Sequence, residues 1–302
     1  VIEFFQSRVG EFAALSTAIL WAFTATFFTI AGRNIGARMV NLIRLLLATL
    51  FLVITHKIFF STFIPDLSNT KAWFYLGLSG AIGLTLGDTL LFQSFLDIGT
   101  QKGMVIMSFW PVFSSFFAYI LLDEKLGIVE IFGVLLTILG ISIVVNSKVE
   151  KIYGGKPLRG VLLAFGSALC QAVGILLAKE GLNTGMGALS GTVIRMIFAA
   201  IFMVIFMAVL NIFSEKSHYS VNFKGFLFAF FGSIVGPYLG VFLSLYAVSK
   251  AKVGIASALM TISPVLLIPL SYYFLEDKVK KSVVFGTLVT VIGSVLLFIA
   301  KR

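Results

Sequence analysis

Apolar runs about as long as a bilayer is thick alternate with short polar stretches along the whole chain. A membrane-spanning helix needs roughly 20 largely apolar residues. Ten segments meet that need, at approximately 11–31, 39–60, 73–95, 101–121, 128–146, 158–178, 188–212, 225–247, 254–274 and 282–300. Charges gather between them, as in Lys57 to Lys71 and Ser147 to Arg159. No stretch alternates apolar and polar residues at period two, as a membrane barrel requires. The pattern predicts an all-α polytopic membrane protein of ten transmembrane helices, counted here as helices one to ten. An even count puts both chain ends on the same side. The first apolar stretch is long enough to span, so it reads as helix one rather than a cleavable leader.

The pattern also occurs twice. Pro111 and Pro264 are 153 residues apart, as are Gly87 and Gly240, Gly133 and Gly286, Thr137 and Thr290, and Gly140 and Gly293. At that offset Leu122-Asp123-Glu124-Lys125 falls on Leu275-Glu276-Asp277-Lys278. Arg44 and Arg195 match at 151, which implies a small insertion or deletion before helix three. The expected division is a five-helix repeat over 1–147, a linker over 148–157 and a second repeat over 158–302. Five crossings are an odd number, so the second repeat starts on the opposite side. The fold is therefore expected to be two inverted five-helix repeats. Inverted repeats with a site at their interface recur in secondary transporters.

Composition narrows the class. Hydrophobic residues make up 59% of the 302 and charged residues 12%, with a mean hydropathy of +1.06. Ordinary soluble domains have about 45–50% and about 25%. A soluble enzyme, a disordered chain and a nucleic-acid-binding module are excluded. The net charge of +10 is then read as loops facing anionic lipid headgroups, not nucleic acid. Nine Lys and Arg fall on the side of the termini and twelve on the other. By the positive-inside rule this small margin leans toward termini outside.

Several chemistries lack their residues. Cys170 is the single cysteine, and His56 and His218 are far apart in sequence, so neither an internal disulfide nor a clustered metal site is expected. Gly154-Gly155-Lys156-Pro157 lacks the glycine spacing and the Ser/Thr of a nucleotide-binding loop. No zinc-protease helix motif or serine-nucleophile elbow occurs. The chain is expected to be no enzyme and to use no cofactor.

Three charges stand inside apolar segments: Arg44 in helix two, Asp88 in helix three and Arg195 in helix seven. Charge at mid-membrane costs at least ~2.5–3.5 kcal/mol, so such residues default to function. The arginines occupy equivalent places, which fits a shared structural task or contact with a ligand. Asp88 is opposed by Val241 in the other repeat. It is a candidate to bind a cationic group, carry a proton or pair with an arginine. Other unmatched positions suit the reading of an asymmetric solute: Gln93 against Tyr246, Trp110 against Ser263, and Trp21 in helix one against the Cys170-Gln171 region of helix six. Pro111 and Pro264 are read as matched mid-helix interruptions, which in transporters point to a central site or hinge. Glycines at four-residue spacing in helices three and eight, with Gly133, Thr137, Gly286 and Thr290 in five and ten, are read chiefly as packing ridges.

Taken in order and in duplicate, these residues resemble the EamA family of the drug/metabolite transporter superfamily. The resemblance rests on Leu20-Trp21, Arg44 and Arg195, Gly87-Asp88, the two prolines, the acidic turns and the glycines of helices five and ten. The family pattern has Gly-Glu in the acidic turn, where this chain has Asp123-Glu124 and Glu276-Asp277. The resemblance implies export or exchange of a small metabolite, such as an amino acid, by alternating access. It also implies cytoplasmic termini in a prokaryotic-type inner (plasma) membrane, against the charge count. The expected partners are a small-molecule substrate and the lipid bilayer, with proton coupling through Asp88 as one option for the driving force. The candidate substrate-binding residues are Trp21, Asp88, Gln93, Trp110, Gln171 and Tyr246, with Pro111 and Pro264 as hinges. The alternatives are a flippase for a lipid or lipid-linked intermediate, and a membrane sensor or scaffold without transport.

Overall fold

The computed structural model describes residues 8–122, 127–147, 156–213, 222–251, 256, 259–276 and 279–299. The described residues form α1 (Val9–Ile35), α2 (Ala37–Phe60), α3 (Thr70–Ile98), α4 (Thr100–Met107), α5 (Trp110–Leu122), α6 (Ile128–Asn146), α7 (Pro157–Asn183), α8 (Ala188–Phe213), α9 (Phe223–Lys250), α10 (Ser263–Phe274) and α11 (Lys281–Ile299). Six of them, α1–α3 and α7–α9, are long and apolar enough to cross a bilayer. Shorter apolar helices occur at Ile131–Asn146, Ser263–Phe274 and Lys281–Leu296. The chain is an all-helical polytopic membrane protein. Asp123 to Lys125, Asp277-Lys278 and most of the expected linker, 148–155, lie outside the described residues.

The polarity of the helices is that of a protein dissolved in lipid. On α2, Leu46, Leu50, Ile54 and Ile58 form an exposed stripe, while Asn41, Arg44 and His56 are buried. The buried face of α1 is mostly small, including Ala14, Ala18, Ala22, Ala25 and Ala31. Lipid tails are as apolar as leucine, so large side chains gain nothing by turning inward. Small ones allow close helix contact, and polar ones find partners only inside.

Two junctions between helices of the first repeat are sharp corners. Gly36 joins α1 to α2 at φ +81°, and Gly99 joins α3 to α4 at φ +85°. With ψ near 150°, these corners use backbone space open essentially to glycine.

The sequence predicts prolines inside a continuous helix four and helix nine. The structure instead ends one helix and starts another. Phe109 N–H bonds to the Ile106 carbonyl (2.9 Å) and Val112 N–H to that of Phe109 (3.0 Å). At the equivalent place, Ile262 bonds to Leu259 (3.2 Å) and Val265 to Ile262 (2.9 Å). Pro111 and Pro264 are thus the second residues of α5 and α10. In a first helical turn the N–H has no partner to lose, so proline is well accommodated there.

Helices α3 and α9 share a second irregularity. Over Gly80–Gly87 and Ile234–Gly240 the backbone winds as a π-helix. Asp88 N–H bonds to the Gly83 carbonyl, and Val241 N–H to that of Gly236, five residues back in each case. The N-caps also match: Asn69 accepts from Ala72 N–H (3.0 Å) and Asn222 from Gly225 N–H (2.7 Å). The duplication read from residue types is therefore present in individual backbone bonds.

The glycine ridges serve as the sequence suggests. A Cβ on Gly140 would lie 2.5 Å from Thr290 N, and one on Gly293 2.5 Å from Thr137 N, so α6 and α11 touch backbone to backbone. The ridge of α3 packs on α7, where the Ser79 hydroxyl donates to the Gly174 carbonyl (2.6 Å). The ridge of α9 packs on α1, with Gly232, Gly236 and Gly240 against Phe28, Thr24 and Trp21. These two seams, α3–α7 and α9–α1, each join one repeat to the other.

Candidate functional site

A cavity of about 80 Å³ lies between the two seams. A buried water needs roughly 10–15 Å³ by such a measure, so there is room for several waters or part of a small solute. Its wall is mixed. Trp21, Thr24, Ala25 and Phe28 come from α1, Arg44 from α2, and Asp88 with Leu84, Leu91, Phe92 and Phe95 from α3. Met104 and Met107 come from α4, Gln171 and Ile175 from α7, Arg195 from α8, and Gly236, Pro237, Val241 and Ser244 from α9. Helices two and seven thus contribute, which the sequence reading did not assign to the wall. Helix nine contributes none of the lining among the described residues.

The first repeat closes its charges on one another. Arg44 Nη2 donates to the Asp88 carboxylate and to the Leu84 carbonyl (3.0 Å), and its Nε donates to Asn41 Oδ1 (2.6 Å). The guanidinium also lies over the Phe92 ring, 5.0 Å from its centroid. Asn41 Nδ2 in turn contacts the Leu84 and Thr85 carbonyls (3.2 and 3.0 Å) and Thr89 Oγ1 (2.6 Å). The local cause is the π-helical stretch of α3. Its wide turn leaves carbonyls turned out of the usual ladder, and in a membrane such groups must find partners within the protein. Asn41 and Arg44, three residues apart on α2, supply the donors.

The second repeat does not. Arg195 is 2% exposed, and its Nε has no hydrogen-bond partner among the described residues. The place of Asn41 is taken by Thr192, whose hydroxyl bonds to the Ala188 carbonyl of its own helix (2.7 Å). The place of Asp88 is taken by Val241. Arg195 is brought to the wall by Gly80, where a Cβ would lie 2.1 Å from the Arg195 carbonyl oxygen.

Of the sequence-predicted residues, the structure gathers Trp21, Asp88, Gln171, Arg44 and Arg195 around one cavity. The other three lie elsewhere. Gln93 Nε2 donates to Asp97 Oδ1 (3.1 Å) near the end of α3. Trp110 is 3% exposed in a core cluster that includes Met104 and Met107. Tyr246 is half-buried, with its ring 6.1 Å from that of Phe242 and 6.0 Å from the Lys250 ammonium. Pro111 and Pro264 stand at the breaks before α5 and α10.

Two features escaped the sequence reading. Asn41 is a polar residue in an apolar run, three before Arg44 on the same helix face, which is a usable signal. Asp97 and Arg159 look like ordinary helix-end charges. In the structure they form a two-pronged ion pair across the α3–α7 seam, with Nε to Oδ2 at 2.7 Å and Nη2 to Oδ1 at 2.6 Å. Asp97 is 1% exposed and Arg159 45%.

Comparison with known proteins gives a consistent picture. The model of the EamA-like transporter family matches residues 8–146 and again 158–299. An uncharacterized transporter of Clostridium kluyveri (strain ATCC 8527 / DSM 555 / NBRC 12016 / NCIMB 10680 / K1) is 24% identical over 232 residues, which is 76% of this chain and 73% of that protein. A protein of known crystal structure superposes with a TM-score of 0.66 over 97% of this chain and 98% of its own, at 14% identity. That likeness speaks for the fold alone.

Proposed function

Because the chain belongs to the EamA-like transporter family and is an integral membrane transporter, we propose that it moves a small organic metabolite through the central cavity by alternating access. The observation that carries this reading is the cavity itself: it is walled by both matched repeats and holds three intramembrane charged residues. In this proposal the solute touches Trp21, Asp88 and Gln171. The α4–α5 break at Pro111 and the start of α10 at Pro264 are the places where the repeats bend as access changes. Gln93, Trp110 and Tyr246 have no part in the cavity wall in this conformation. Export or exchange across a prokaryotic-type plasma membrane, with both termini cytoplasmic, completes the proposal. The driving force is either the solute gradient or protons carried by Asp88.

An unbiased counterflow screen in proteoliposomes tests the main claim. Stimulated uptake of at least one small solute is expected, and no counterflow with any solute would remove it. For the proton, Asp88→Asn is expected to abolish pH dependence of transport. Unchanged pH dependence would show that Asp88 is not the carrier.

A second reading has its own observation. Leu52, Thr55, Phe59, Phe60, Leu189, Tyr238, Leu239 and Phe242 line an apolar groove on the flank of α2 and α9. It adjoins the π-helical wall of the cavity through Tyr238, next to Pro237, and Thr55 and Tyr238 share a hydrogen bond there (2.9 Å). Such a groove suits an acyl chain, as a lipid flippase needs. Co-purification of a stoichiometric amphiphile would favour that reading over the first.

A further inference from the structure

The donors of the cavity are not evenly committed. Thr24 and Ser244 give their hydroxyl protons to backbone carbonyls, Leu20 (2.7 Å) and Val241 (2.8 Å). Arg44 is satisfied by Asp88, Asn41 and Leu84. Arg195 is not: it is buried at the wall with Nε unpartnered. Trp21 and Gln171, on the same wall, make no hydrogen bond among the described residues. The two arginines and the single aspartate of the wall leave one positive charge over. Asp88 acts on Arg195 through space, but its direct contact is with Arg44.

A buried guanidinium without a hydrogen-bonded counter-ion is costly, because a charge acting only through space returns little of the desolvation loss. A monoanion restores the balance. Arginine meets a carboxylate through parallel N–H donors, among the strongest pairings available to a side chain. The apolar part of the wall, with Phe28, Phe95, Met104 and Ile175, suits a hydrocarbon body. We infer that the solute is a carboxylic acid carried as its monoanion, with its carboxylate on Arg195 and its apolar part against these side chains. This rests on the transport reading above and sharpens it. A zwitterionic or cationic solute is disfavoured, because the carboxylate that would receive its ammonium group is held by Arg44.

The test uses the purified full-length chain in detergent and a ladder of straight-chain carboxylates from acetate to octanoate, each with its matching alcohol and primary amine. A ligand that binds the native state raises the melting temperature progressively with its concentration. Carboxylates within the ladder are expected to do so, and their alcohols and amines are not. Arg195→Gln is expected to weaken that binding about tenfold or more, as loss of a charge-assisted pair implies. Since Arg195→Gln can fail to fold, a second variant is needed. Val241→Asp places an acid where the first repeat has Asp88. It is expected to leave the protein at least as stable and to abolish the carboxylate effect. Alcohols acting as strongly as acids, no effect of any carboxylate, or unchanged binding in either variant would overturn the inference. Counterflow of neutral or cationic solutes, unaffected by Arg195→Gln, would overturn it while leaving transport intact. Saturable carboxylate binding without counterflow would uphold the anion site and remove transport.

Discussion

Arg44, Asn41 and Asp88 form a unit in which each residue answers a need created by another. The wide turn of α3 exposes carbonyls, Asn41 and Arg44 cover them, and Asp88 balances the charge that Arg44 brings. Removing Asp88 by Asp88→Asn leaves two buried arginines without a carboxylate in contact. Breaking a buried pair from one side costs about 3–5 kcal/mol. A clear loss of thermal stability in detergent is therefore expected. The double variant Arg44→Met with Asp88→Leu should recover part of it, since matched apolar replacement removes both charges together. Asn41→Leu should cost about 1–3 kcal/mol, because it strands the buried Arg44 Nε, whose acceptor is Asn41 Oδ1. Thermal unfolding of the purified variants measures all three. The site was half legible at this scale. A lone aspartate and two arginines in apolar runs are conspicuous. That Arg44 is satisfied and Arg195 is not depends on which side chains lie across the helix interface, and no spacing within one helix reports that. Gln93, Trp110 and Tyr246 show the reverse limit. Asymmetry between repeats marks them as unusual, but it does not say whether a side chain faces the cavity, the core or a helix end.

Helices in this protein are held by two kinds of contact, small-residue faces and a few polar ties. At the α6–α11 face, Gly140→Val would put its side chain into Thr290 and the Gly286 carbonyl, whose oxygen a Cβ would already meet at 2.7 Å. Neither neighbour is the free end of a flexible chain, so the helices must separate. Low yield of folded protein and a reduced melting temperature are expected. The α3–α7 seam carries the Asp97–Arg159 pair, whereas in the equivalent α9–α1 seam the place of Asp97 is taken by the exposed Lys250. The ionic latch of one seam is therefore not repeated with the same residues in its copy. Cys170 reports on it, since its Cβ lies 3.0 Å from where a Cβ on Gly87 would be. Arg159→Ala is expected to speed labelling of Cys170 by a small maleimide several-fold, with little change for Lys250→Ala. Equal rates in parent and Arg159→Ala would show that the pair does not hold the seam shut. The six long spans were readable from hydropathy, because crossing lipid asks for roughly 20 apolar residues in each. The breaks before Pro111 and Pro264 were readable as interruptions but not in form. Proline fixes where a ladder is broken, while packing decides whether the chain kinks or starts a new helix. The wide turns of α3 and α9 had no signal beyond their glycines.

The whole molecule is two copies of one plan joined along two seams, with the cavity between them. The plan was legible from the 153-residue offset because glycines, prolines and caps are tied to backbone geometry, which duplication preserves. Its charges were free to diverge, and they have. Reporter tags at the two ends are expected to be accessible from the same side of sealed vesicles. Opposite accessibility would break the even count of crossings.

The π-helical turns also carry a date. A wide turn holds one residue more than the α-helix it interrupts. Both copies have it, ending at Gly87 and at Gly240, yet the residues within it differ, with Leu84 in one and Pro237 in the other. One insertion in a single ancestral gene accounts for both, whereas two separate insertions would have to land on the same place. The extra residue is then older than the duplication.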